Sequence, residues 1–266
     1  MILVFGGTTE GKQVISLLNE MQLTYVYSTK TEVNVELGEF GQYRNGALTP
    51  ETLIQLIQEE KIQRIIHAAH PFAMELHQTI DIAGQQEKIE VLRLERNFSE
   101  RVDHELVKYL KSYTELLATL TRDFQGKKLL ALTGVQSIGK LKPFWKDNIS
   151  YFRILDRNSS IDIADKSDFP REQLILEQPK NLIGGEEKLI DQLNIEVIAT
   201  KESGSTGALE EKIELALKRK VPIFILTKPL LPKSFIQVQN VESLNVILNG
   251  NASFNLNNSS FNTIER

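Results

Sequence analysis

Residues 1–11, MILVFGGTTEG, carry the reading that decides the fold. Ile2-Leu3-Val4-Phe5 is a short apolar run of the kind buried in a parallel sheet, and it enters a glycine turn. The following KQVISLLNEM (12–21) repeats apolar residues at helical spacing. Strand, turn and helix therefore succeed one another at the start of the chain.

A dinucleotide-binding turn has the pattern G-x-G-x-x-G between a strand and a helix. Gly6 and Gly11 occupy its first and third places, while Thr8 stands at the second with Gly7 beside it. Gly7 still permits a tight turn and close approach of a ligand to the backbone. Thr8 or Thr9 can cap the helix, whose N-terminus suits an anion. The stretch reads as a phosphate-holding turn of a variant kind; the plainer reading is an ordinary βα turn with no ligand.

At 266 residues the chain can build one large α/β domain or two modest ones. A formal charge of −4, with no basic tail or stripe, gives no support for nucleic-acid binding. The absence of cysteine excludes disulfides, thiolate metal sites and a cysteine nucleophile. His67, His70, His77 and His104 are too scattered to suggest a metal site, so no metal is expected. No apolar run approaches the roughly 20 residues that span a bilayer. The N-terminus reads as a strand instead of a secretion signal, so a cytoplasmic protein with no membrane partner is expected.

Strand and helix patterns alternate along the chain, as in βαβ units. LTYVYS (23–28) reads as a second strand, and Thr29 to Thr49 as a looped or hairpin-like excursion. TPETLIQLIQEEK (49–61) reads as a helix with Thr49 as N-cap and Pro50 at its first position. RIIHAAHPFA (64–73) is a strand leading to a loop, with Pro71 opening a helix to about Gln85. IEVLRLER (89–96) is a strand, and ELVKYLKSYTELLATL (105–120) is read as a helix bridging two halves.

A second series starts at KKLLALTG (127–134), another strand entering a glycine turn. ISYFRILD (149–156), EQLILEQP (172–179), IEVIAT (195–200) and VPIFILTKP (221–229) read as strands. GGEEKLIDQLN (184–194) and TGALEEKIELALKRK (206–220) read as helices. The polar stretches around Asn97 and Asn158 read as candidate lids. The expected architecture is α/β, with two Rossmann-like parallel-sheet domains at 1–110 and 111–249, then a flexible Asn/Ser-rich tail at 250–266.

Open parallel sheets bind ligands beyond the carboxyl ends of their strands. The residues there are Gly6-Gly7-Thr8-Thr9, Thr29-Lys30, His70-Pro71-Phe72, Arg96, Thr133-Gly134 and Lys201-Glu202-Ser203-Gly204. Each has a plain reading: a solvated loop charge, a turn histidine or a helix entry. Two glycine turns with several cations on one edge suit a large polyanionic ligand better. NAD-specific folds place a carboxylate at the end of the second strand, where this chain has Thr29 and Lys30. A cation there favours the 2′-phosphate of NADP.

ILVFGGTTEGKQV, HAAHPFA, LALTG and IEVIATKESGSTGALEEKIELALKRKVPIFILTKP together resemble the precorrin-6A reductase family of cobalamin biosynthesis, over about residues 1 to 230. The resemblance implies two Rossmann-like domains facing a central cleft that takes NADPH, or NADH in some members, and a tetrapyrrole. It implies reduction of one ring double bond of precorrin-6A or its cobalt form. It places Gly6, Gly7, Thr8, Thr9, Lys30, His70, Pro71 and Phe72 at the cofactor. Arg96, Thr133, Gly134, Lys201, Ser203 and Gly204 fall to the substrate, and His70 is the candidate proton donor. Neighbouring enzymes of the pathway are the partners it suggests. The chain departs from the family at His67, at Ala69, and at Val135-Gln136. Two other readings stand beside this one: a lyase like uroporphyrinogen-III synthase, and a non-catalytic NADP sensor.

Overall fold

The computed structural model describes residues 1–177, 185–204 and 207–259, with side chains through Gly250. The chain divides into two compact units, Met1–Asn97 with Pro229–Arg266, and Phe98–Lys228. Each holds one six-stranded sheet, and every strand pairing in both sheets is parallel.

In the first unit β1 (Ile2–Phe5) leads through the glycine turn to α1 (Thr9–Glu20) and β2 (Tyr25–Thr29). Then come β3 (Gly41–Asn45), α2 (Pro50–Glu59), β4 (Arg64–His67), α3 (Met74–Glu87) and β5 (Glu90–Leu94). Thr49 caps α2 in a reciprocal box with Thr52, and Pro50 takes the first turn, where its missing N–H costs nothing.

The second unit runs β6 (Val107–Leu110), α4 (Tyr113–Asp123), β7 (Leu129–Ala131), α5 (Lys142–Trp145) and β8 (Ser150–Leu155). It continues with α6 (Asn158–Asp165), β9 (Leu174–Glu177), α7 (Glu186–Leu193), β10 (Val197–Lys201), α8 (Leu209–Arg219) and β11 (Ile223–Leu226). The chain then returns to the first unit with β12 (Ile236–Val238) and α9 (Val241–Ser259).

The first sheet has the order β3-β2-β1-β4-β5-β12 and the second β9-β8-β7-β10-β11-β6. Both follow the spatial plan of the doubly wound order 3-2-1-4-5-6, with the topological switch between the first and fourth strands. The sixth place in each sheet is filled from a distant part of the chain. β12 joins the first sheet only after the whole second unit, and β6 enters ahead of the other strands of its own sheet.

That arrangement moves the expected boundaries. Residues 107–110, expected in the first domain, form the edge strand beside β11, and residues 229–249, expected in the second, belong to the first unit through β12 and α9. VKYL is a strand where a helix was expected, because Ser112 caps a new helix directly after it. The excursion after Thr29 contains β3, parallel to β2 and so no hairpin. Pro71 lies ahead of α3, which starts at Met74, and the polar stretch from Asn158 forms α6. At the chain's end α9 runs through Ser259, into the segment read from the sequence as a tail from 250; residues 260–266 lie outside the described residues.

Two apolar layers cover the first sheet. Val14, Ile15, Leu17 and Leu18 of α1 pack with Leu244 and Leu248 of α9 over Val4, Tyr27, Ile66 and Leu92. Leu53 and Ile57 of α2 with Ile80 and Ala83 of α3 pack over Leu3, Phe5, Ile65 and Val91. Full burial of such side chains is worth roughly 1.5–3 kcal/mol each, which fixes the sheet's register and with it the polar residues at its carboxyl edge.

Candidate functional site

The turn after β1 is held from below by Tyr27. A Cβ on Gly6 would lie 2.2 Å from the Tyr27 ring, and one on Gly11 would lie 2.7 Å from the Tyr27 hydroxyl and 2.9 Å from the Gly6 Cα. Both positions must be glycine for strand, turn and helix to close on one another. Gly7 has φ 85°, a conformation that favours glycine, and its N–H donates to the Tyr27 hydroxyl at 2.7 Å. Burial raises the Tyr27 pKa, keeping that hydroxyl protonated.

Thr8 is the N-cap, its Oγ1 accepting from the Gly11 N–H at 3.1 Å. The same hydroxyl donates to the Ala68 carbonyl at 2.6 Å, fastening the turn to the exit of β4. From the other side the buried Arg93 donates to the carbonyls of Ala69 at 2.7 Å and His67 at 3.3 Å, and pairs with Glu95 at 2.8 Å. Ala68-Ala69 is thus fixed from two directions, which positions the following His70-Pro71-Phe72 at the switch point.

His70 is exposed, and its Nδ1 accepts from the Phe72 N–H at 3.2 Å. In the neutral ring that bond leaves the hydrogen on Nε2. Lys30 Nζ lies 3.4 Å from Glu75 at the start of α3, both side chains largely in solvent. Arg96 does not present a free cation: it grips Glu10 in the first turn of α1 through Nε and Nη2, each at 3.1 Å. That pair neutralises the one carboxylate beside the helix N-terminus, whose partial positive charge stays available to an anion.

Behind this edge His67 is fully buried, with neither ring nitrogen hydrogen-bonded, and its ring lies 5.0 Å from that of His77. Burial first, then Arg93 and the neighbouring histidine, hold the His67 pKa well below 6.5. Burial and Arg93 lower His77 to about 4. Both rings are therefore neutral at pH 7. The sequence marks neither as a site residue, nor Arg93, since none follows a strand directly.

In the second unit Thr133 and Gly134 leave β7 while Lys201 ends the adjacent β10, so they share the switch point. Gly134 has φ 79° and opens a turn of 3₁₀ helix at Val135–Ser137, so this turn does not repeat the first one. Thr133 Oγ1 and Ser137 Oγ lie 2.6 Å apart near Tyr113, whose pKa burial pushes up to about 12 against the opposing effect of those two hydroxyls. Lys140 sits 4.6 Å from the centre of the Tyr113 ring. Burial, with Lys140 nearby, lowers the Lys201 pKa to about 8. Lys140 carries no signal of its own in the sequence, because it lies six residues past Gly134, within the 3₁₀ turn Gly139–Leu141.

Ser203 packs over Gly207, where a Cβ would meet its Oγ at 1.8 Å, and Gly204 turns with φ 75°. Ser205 and Thr206 of the TKESGST stretch lie outside the described residues. Glu202 is committed within the unit: Arg101 grips it at 2.9 and 3.2 Å, and the Lys228 N–H donates to it at 2.9 Å. Among the described residues no three His, Asp or Glu side chains converge as a metal site requires, and no helix is long and apolar enough to cross a membrane.

A family model described as Precorrin-6x reductase CbiJ/CobK matches residues 1–249. The chain is 23% identical over 234 residues to a cobalt-precorrin-6A reductase of Methanocaldococcus jannaschii, covering 86% of this chain and 90% of that one. It is 26% identical over 246 residues to a precorrin-6A reductase of Rhodococcus erythropolis, covering 90% and 94%. A solved structure titled CobK precorrin-6A reductase superposes with a TM-score of 0.76 at 18% identity, covering 94% of this chain and 96% of that chain. That likeness supports the doubly wound fold of both units.

Proposed function

The chain belongs to the precorrin-6x reductase family of cobalamin biosynthesis and so to the oxidoreductases acting on a ring carbon–carbon bond, and from that premise we propose how its own residues divide the work. The first unit takes the nicotinamide cofactor, NADPH or NADH, on the Gly6-Gly7-Thr8-Thr9 turn. The second takes the carboxylates of precorrin-6A or its cobalt form through Lys201, with Lys140, Thr133, Gly134, Ser203 and Gly204 shaping that edge.

The single observation that carries the reading is the turn itself. It lies at the switch point of a 3-2-1-4-5-6 sheet, and Gly6 and Gly11 are closed to any side chain by Tyr27. The fit to a dinucleotide is specific in shape and altered in donors. The Gly7 and Gly11 N–H groups are spent on Tyr27 and Thr8, so the first free turn of α1 and its dipole carry more of the phosphate's charge.

When bound, the nicotinamide supplies the hydride, and the protein's part is to position and stabilise. Thr8 and Arg93 hold the β4 exit so that His70 stands at the switch point, where its ring in the protonated, imidazolium form would be the candidate donor to the ring carbon beside the one reduced and would return to the neutral imidazole. Lys201 remains largely protonated at neutral pH and can bind a carboxylate by a charge-assisted bond. The partner is then the tetrapyrrole, and the compartment we assign is the cytoplasm.

The test is consumption of reduced nicotinamide by purified protein, followed by absorbance, with precorrin-6A and its cobalt form each offered with NADPH and with NADH. Turnover of either ring supports the reading. Cofactor binding by calorimetry without turnover of either ring favours a sensor, and neither binding nor turnover overturns the reading.

A further inference from the structure

The described part of the first unit holds four arginines, and three are neutralised within it. Arg64 pairs with Glu90 at 2.6 Å, Arg93 with Glu95 at 2.8 Å, and Arg96 with Glu10 at 3.1 Å. Arg44 is different. Its Nη1 donates to Ser28 Oγ at 2.6 Å and its Nη2 to the Asn45 carbonyl at 3.2 Å, two neutral acceptors. Among the described residues no carboxylate pairs with it. The guanidinium is half-buried, and burial alone draws its pKa down. A partly desolvated cation left without a counter-charge is costly unless an anion arrives from outside.

Its place in the sheet says which anion. Arg44 pairs in register with Ser28 near the carboxyl end of β2, and Ser28 pairs with Phe5 at the end of β1, one residue before the glycine turn. In a doubly wound dinucleotide site the end of the second strand meets the adenosine ribose. A carboxylate there bonds the 2′-hydroxyl, whereas an arginine nearby receives a 2′-phosphate. Here the end of β2 offers Ser28 and Thr29 and no carboxylate, and Thr29 Oγ1 is engaged with Thr31 and Tyr43. The Gly46 N–H donates to the Thr29 carbonyl, and with φ 108° the glycine adds no side chain at a point where a Cβ would lie 3.6 Å from Arg44 Nη2. A planar fork with spare N–H donors matches a phosphate monoester.

Resting on the cofactor reading above, we propose that Arg44, oriented by Ser28, is the residue that recognises a ribose 2′-phosphate and sets a preference for NADPH over NADH. Lys30, the cation expected from sequence, lies 3.4 Å from Glu75 with both side chains largely in solvent, and the variants below separate its part from that of Arg44.

The test is binding of NADPH, NADH and adenosine 2′-monophosphate by calorimetry, without substrate, to the wild type and to Arg44→Gln, Arg44→Lys and Lys30→Gln. Loss of a bidentate charge-assisted contact is expected to weaken NADPH by about 10- to 100-fold. NADH should be unchanged, Arg44→Lys intermediate and Lys30→Gln close to wild type. Adenosine 2′-monophosphate should bind the wild type and fail with Arg44→Gln. Equal weakening of both cofactors by Arg44→Gln, or an unchanged ratio, overturns the assignment while leaving the cofactor turn in place. If neither cofactor binds the wild type, the cofactor reading itself falls and the assignment falls with it. Thermal melts of each variant show whether a loss comes from unfolding, and Arg44→Lys keeps the test decisive if Arg44→Gln does not fold.

Discussion

Acidification should destabilise the first unit through His77, and the size of the effect follows from its surroundings. The unfolded imidazole titrates near 6.5, while burial and Arg93 hold the folded one at about 4. Between those values the unfolded chain binds a proton that the folded chain refuses, so stability rises with pH there and is lost as pH falls from 6.5 towards 4. At 1.36 kcal/mol per pH unit at full differential protonation, lowering pH from 7.5 to 5 removes about 2 kcal/mol for this one group. His67, buried against it, adds a loss of the same sign. Most carboxylates titrate below that window, so the histidines dominate within it. Urea unfolding at closely spaced pH should show this slope in the wild type. In His77→Leu, which removes the titrating group and retains an apolar filling, the slope should fall by about one proton's worth. Equal slopes for the two proteins between pH 7 and 5 would refute the assignment of a neutral, proton-refusing His77.

Three further outcomes are expected. Thr8→Val removes both the α1 cap and the bond to the Ala68 carbonyl, and should cost about 1–2 kcal/mol in urea unfolding while weakening cofactor binding by calorimetry. Arg153→Met removes a buried guanidinium that lies 2.7 Å from Glu186 and 3.4 Å from Glu177, and should destabilise the protein by about 3 kcal/mol in the same assay. Because Lys201 carries its charge only below about pH 8, the KM for the ring should rise as pH passes 8 in the wild type, and that rise should vanish in Lys201→Gln, whose KM is already high at pH 7.

The alternation of strands and helices was legible because each βα unit carries its own local signals. A continuous apolar run marks β1, and the Thr49-Pro50 entry marks α2. β6 and β12 were not, because neither short segment carries a distinct strand signal of its own. VKYL lies two residues before the α4 cap and merges with that helix's periodicity, while IQV is three residues long and takes its meaning from β5 beside it. The boundaries followed that error, since the sixth strand of each sheet decides which unit a segment joins. Thr8 was legible as a cap because capping is local. Its second bond, to Ala68, spans sixty residues and needs the β1–β4 pairing.

That dependence on pairing also explains why a polar row just inside the expected site residues was not legible in the sequence. A single register row crosses the first sheet near its carboxyl edge as Gln237, Arg93, His67, Phe5, Ser28 and Arg44. Paired residues of parallel strands direct their side chains to the same face, so this row is one line of neighbours built from six separate places in the chain. Its polar members act on the loops and ends of the neighbouring strands. Arg93 holds the carbonyls leading to His70, and Ser28 accepts a bond from Arg44 at the end of β3. A slip of one residue in β3 would send Arg44 to the opposite face and leave Tyr43 in its place. Nothing in GQYRN announces that row, because β3 is an edge strand with little apolar alternation of its own. The register is set by the apolar residues of β1, β2 and β4, and the cation at the end of β3 acquires its chemistry only from theirs.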